Sequence, residues 1–178
     1  FACFVLNSEF AYDLGFLSVV IAVGVSMLCG LLIGLCHVYL KIPSFMASFA
    51  FMYICKGIGM VSYQGHPPTI KDPVITALPT TTFLGIPFIT WVAIVMFLLC
   101  FFIQEYTAFG RHIYAVGTNE NIPRSVGVSV EKVKIGVFTL AGFLFGVAGV
   151  IGAIRLGQGQ IAIGDDKMFP AQAAVVVG

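Results

Sequence analysis

The sequence predicts an all-α fold, a polytopic bundle of transmembrane helices, and three observations carry that prediction. Of 178 residues, 59% are hydrophobic and only 10% are charged, against about 25% charged in a soluble domain. Mean hydropathy is +1.02. Four apolar runs reach the roughly 20 residues that a helix needs to cross a bilayer. They lie near 14–40, 46–63, 89–106 and 135–154.

The first run, Leu14–Leu40, is over-long, so it tilts or begins later than Leu14. Gly30 and Gly34 punctuate it at helical spacing. The second, Met46–Tyr63, contains Lys56 about 7 residues, or roughly 10 Å, from its end. A charge at that depth is costly and marks a pathway or a polar partner; alternatively its stem snorkels toward the interface. The segment Gln64–Phe88 holds five prolines and the run Thr80-Thr81-Thr82. Proline removes backbone donors, so a short non-helical piece or a plain connector is expected there.

Ile89–Tyr106 is the third span and Ile135–Ile154 the fourth. The fourth carries Gly142, Gly146 and Gly149, small residues that let membrane helices approach closely. Between them, the loop 107–134 holds Arg111, Arg124, Lys132 and Lys134. Cytoplasmic loops retain such residues, so this loop faces the cytoplasm, Lys41 lies on the same side, and Gln64–Phe88 faces outside. Within it, Asn119 and Asn121 are capping residues and Glu120 suits a helix start. Pro123 is tolerated in a first turn and Gly127 ends the element. A short cytoplasmic helix of about two turns over Asn119–Gly127 is predicted. Glu120 and Arg124 share one side at i, i+4, and Ile122 and Val126 form an adjacent apolar ridge. Such an element lies on the membrane surface or plugs into a cytoplasmic partner.

No catalytic constellation is encoded: H-E-x-x-H, G-x-S-x-G and the Walker A pattern are all missing. His37, His66 and His112 are scattered and read as lone interfacial residues. Asp165-Asp166 reads as a solvated pair in a glycine-containing loop. The five cysteines sit mostly in apolar runs without C-x-x-C, as packing residues. With a net charge of +1, the chain has no basic stripe for nucleic acid, and no metal site is expected. It starts at Phe1 and stops after the apolar run Ala171–Val177, so it is expected to be the central part of a longer protein.

The run Gly110-Arg111-His112-Ile113-Tyr114-Ala115-Val116-Gly117-Thr118-Asn119-Glu120, continuing through Arg124 and Gly127 to Val130–Lys134, resembles the ribose/xylose/galactose-type permeases of bacterial ABC importers. Ile42–Ala47 followed by Lys56-Gly57, the segment Arg155–Gln160 and the ending Ala173–Gly178 agree in order and spacing. The chain departs from the family pattern at Asn121, Ile122 and Pro123, where small residues are usual, and at Pro170, where an acidic residue is usual. The resemblance implies one transmembrane permease domain in the bacterial inner membrane that carries a monosaccharide. It implies a second permease copy, an external sugar-binding protein, and cytoplasmic ATPase subunits that hold the ATP and magnesium. The helix around Asn119–Gly127 would be the coupling helix that docks on the ATPase. Nucleosides or branched amino acids are alternative cargoes. An integral-membrane enzyme with catalytic residues outside this stretch is a further alternative, as is a purely structural subunit.

Overall fold

The computed structural model describes residues 15–63, 82–83, 85–118, 123–124, 127–161 and 164–177. Six helices and one small hairpin make up these residues, in the order α1 (Gly15–Tyr39), α2 (Ser44–Tyr63), β1 (Thr82–Phe83), β2 (Ile86–Pro87), α3 (Phe88–Tyr106), α4 (Ala108–Thr118), α5 (Val130–Leu156) and α6 (Asp165–Val177). Four of them, α1, α2, α3 and α5, are long and apolar enough to cross a membrane.

The centre of the fold is the antiparallel pair α1 and α5. Gly30 faces Gly142, Gly34 faces Ile135 and Phe138, and Val23 faces Gly146, so numbering rises along one helix as it falls along the other. A Cβ placed on Gly30 would lie 2.5 Å from the Phe138 carbonyl oxygen, and one on Gly142 would lie 2.7 Å from that of Ser26. Backbone cannot yield as a side chain can, so this crossing requires glycine. The Ser26 hydroxyl then donates to the Gly142 carbonyl at 2.8 Å. In hydrocarbon, such close packing and interhelical hydrogen bonds replace the hydrophobic drive that joins helices in water.

Gly149 does not share in this contact, because a Cβ there would meet nothing within 4 Å. The buried seam of α5 runs through Gly142, Gly146, Val150 and Ala153. Its steps of four favour Val150 over Gly149, which falls about 100° to one side. Within this chain Gly149 thus lies beside the seam and not in it.

Apart from that seam little is buried among the described residues. Ala22, Ala47, Val130, Val133, Val150 and Ala153 form the apolar core, while Leu28, Val61, Phe97, Phe102 and Phe145 are among many large apolar side chains left exposed. No residue of α3 is buried. Apolar surface on this scale is what a helix presents to lipid tails or to neighbouring spans.

Two boundaries differ from the hydropathy reading. Helix α5 starts at Val130, five residues before the predicted apolar run, because Glu131, Lys132 and Lys134 extend the same helix beyond its apolar stretch. Within the loop 107–134 a full helix, α4, also forms at Ala108–Thr118, earlier than the predicted one. Thr107 explains it: its backbone is extended at the end of α3, and its hydroxyl accepts the Gly110 N–H at 3.2 Å. Threonine thus caps the new helix, and the turn is tight enough that a Cβ on Gly110 would strike the Gln104 carbonyl.

Candidate functional site

Three features stand apart from simple span packing. The first is a basic cluster where α1 ends and α5 begins. His37, Lys41, Ile42, Pro43, Arg124, Glu131 and Lys134 line a cleft of about 350 Å³ there. The connection from α1 to α2 turns at Lys41, in the left-handed region at φ 54, and is held by His37, whose Nδ1 lies 2.8 Å from the Ile42 carbonyl oxygen and donates to it. The His37 ring also meets Phe138 at 5.5 Å between centroids. His37 is therefore a bracing residue of this turn, which isolated spacing in the sequence did not reveal. The positive residues of two loops distant in sequence end on one side of the bundle.

The second feature is the polar segment between α3 and α5. Asn119, Glu120, Ile122 and Val126 of the predicted docking helix lie outside the described residues; Pro123, Arg124 and Gly127 lie within them. Pro123 and Arg124 are helical. The Val128 N–H donates to the Pro123 carbonyl at 2.9 Å and the Gly127 N–H to that of Arg124 at 3.2 Å, with Gly127 at φ 80. This paired arrangement around a left-handed glycine is how helices commonly end. The Arg124 guanidinium then reaches Glu131 in the first turn of α5 at 2.6 Å. The α4 part of the segment is held from below: the Phe109 ring lies against Gly136, and the Gln104 amide donates to the Tyr114 hydroxyl at 3.3 Å. The segment is thus tied to the spans on both sides.

The third feature is Lys56. Its Nζ lies 2.7 Å from a carboxylate oxygen of Asp165, at the start of α6, and 5.9 Å from the centroid of the Tyr53 ring on its own helix. The reading of Asp165 as merely solvated is corrected by this contact. The two residues are 109 positions apart, and nothing in their local spacing announces the pair. Gly164 at φ 92 makes the turn that starts α6 here.

Between these features a cleft of about 720 Å³ runs among α1, α2, α5 and α6. Its walls are aromatic at Phe45, Phe49 and Phe138, with polar points at Ser44, Ser48 and Gln172. Gly142 and Gly30 form its floor at the helix crossing. Among the described residues no three His, Cys, Asp or Glu side chains are grouped to hold a metal ion.

The family model described as the branched-chain amino acid transport system / permease component matches residues 1–178. Among curated proteins, the ribose import permease of Haemophilus influenzae is 36% identical over 142 residues, covering 78% of this chain and 44% of that protein. The Escherichia coli protein named "Probable ABC transporter permease protein YphD" is 36% identical over 138 residues, covering 78% and 42%. The xylose transport system permease of H. influenzae is 40% identical over 94 residues, covering 53% and 25%. The chain spans less than half the length of these relatives. No solved structure gives a significant match.

Proposed function

The chain belongs to the permease family of the branched-chain amino acid transport system type, as a multi-pass helical protein of the bacterial inner membrane, and from that premise we propose that it forms part of the pathway subunit of an ATP-driven sugar importer. The observation that carries this reading is the likeness to permeases named for ribose, xylose and L-arabinose. Of the motif Gly110–Glu120, residues Gly110–Thr118 lie in the capped helix α4, Ala108–Thr118, set between two spans.

In this reading the basic end faces the cytoplasm, and two permease copies enclose the route. An external binding protein delivers the monosaccharide. Separate ATPase subunits, which carry ATP and magnesium, dock on the segment from Asn119 to Gly127. The hydrogen-bonded end at Gly127 and the Arg124–Glu131 ion pair support that role, because a docking element must pass its displacement to a span. An element tied to the start of the next span does so; a loose linker would absorb the movement. Lys56 stands on the route near its outer end, and Gly142 and Gly146 hold the spans that frame it.

The family description favours a second reading, in which the cargo is a branched-chain amino acid. The two are separated by uptake into proteoliposomes holding the complete transporter with ATP inside and the binding protein outside. Accumulation of radiolabelled ribose, xylose or arabinose supports the sugar reading. Accumulation of leucine without any of the sugars replaces it.

A further inference from the structure

The Lys56–Asp165 contact sits at a specific place on the 720 Å³ cleft. Along α2 the lining runs from Ser44 to Cys55, and Lys56 is the next residue. Ser44 adjoins the basic cluster, so Lys56, 12 residues on and about 18 Å away along the helix, marks the opposite rim. Asp165 opens α6, and that helix contributes Gln172 to the wall facing α2. The ion pair therefore bridges two walls of the cleft at one mouth. A second contact follows one turn later, where Ile161, just ahead of α6, lies 3.8 Å from the Cβ position of Gly59.

We propose that Asp165 is the counter-ion that clasps α2 to α6 at the outer rim, and that this clasp parts each time the cleft opens outward. The proposal rests on the permease reading and its orientation. Two properties fit a contact that is made and broken. The side chains are 27% and 50% exposed, so packing within the chain does not lock the pair shut. Lys56 also has a contact on its own helix that does not depend on Asp165, since its ammonium lies 5.9 Å from the centroid of the Tyr53 ring. The pair is thus a two-state element located where α2 and α6 must separate to admit a ligand.

The test uses the complete transporter in proteoliposomes, in a background stripped of native cysteines because Cys55 adjoins Lys56. With Gly59→Cys and Ile161→Cys combined, a pair close enough for a disulfide that leaves Lys56 and Asp165 in place, an oxidant should form the cross-link, uptake of the transported substrate should be lost, and a reductant should restore it. A static structural tie predicts instead that the cross-linked transporter works at the uncross-linked rate, and that result overturns the clasp. Failure to form the cross-link overturns it too. Charge exchange gives an independent readout: Lys56→Asp or Asp165→Lys alone places like charges at the rim and should abolish uptake, and the two together should recover it. Loss in the double variant equal to that in either single contradicts the pairing. A wild-type complex that accumulates no sugar bears on the permease reading alone, and the cross-link is then read with whichever substrate it carries.

Discussion

The Ser26 hydroxyl on α1 and the Gly142 carbonyl on α5 are joined at 2.8 Å, at the one crossing where both helices present glycine backbone to each other. The two kinds of contact differ in weight. An interhelical hydrogen bond in a membrane is worth about 0.6 kcal/mol on average, whereas forcing extra methyl groups into a tight contact costs about 1–3 kcal/mol or more. Ser26→Ala should therefore leave the complete permease close to wild-type thermal stability in detergent. Gly142→Val should lower its melting temperature clearly, by several degrees. Equal effects of the two would mean that α1 and α5 do not meet at Gly142.

This crossing also shows how much could be read from the chain. Gly142 and Gly146 stand out by spacing alone, because lipid-embedded helices pack through small residues. Gly149 is equally compatible with a helical row but meets nothing of this chain, since only the partner helix determines which of two neighbouring positions joins the seam. The spans were legible because hydropathy is a property of contiguous residues. Helix α4 was not, because its decisive group is the single hydroxyl of Thr107, counted with the end of a span. The Lys56–Asp165 pair was invisible for a different reason: it joins residues 109 positions apart, and only the fold brings them together.

Gly110 provides a second prediction. Its Cβ position collides with the Gln104 backbone, so Gly110→Val should prevent α4 from folding back at the end of α3. Limited trypsin digestion of right-side-in membrane vesicles made permeable to the protease should then cut at Arg111 far faster than in wild type. Thr107→Val removes the cap, at a cost of about 1 kcal/mol, together with the hydroxyl's bond to the Ile103 carbonyl, and should give an intermediate rate. Wild-type resistance in Gly110→Val would show that α4 does not depend on this close approach.

Orientation gives a third. Lys41, Arg124 and Lys134 line one cleft, and retention of positive residues on the cytoplasmic side predicts where it faces. In a background free of native cysteines, a membrane-impermeant thiol reagent added outside intact cells should label a cysteine at Thr81 and leave one at Ser125 untouched. Labelling of Ser125→Cys alone reverses the topology and, with it, the side on which an ATPase could dock.

The central claim is that the segment before α5 transmits partner docking to the spans, and Gly127→Pro tests it most directly. Proline fixes φ near −65° and has no N–H, whereas Gly127 sits at φ 80 and donates to the Arg124 carbonyl. The substitution therefore breaks the end of the docking element without touching any span. The measurement is ATP hydrolysis by the reconstituted complete transporter, with and without loaded binding protein, alongside gel filtration of the membrane subunits. The account predicts that Gly127→Pro subunits assemble normally while the stimulation by loaded binding protein disappears. Wild-type stimulation in the variant would contradict it and remove this segment as the coupling element.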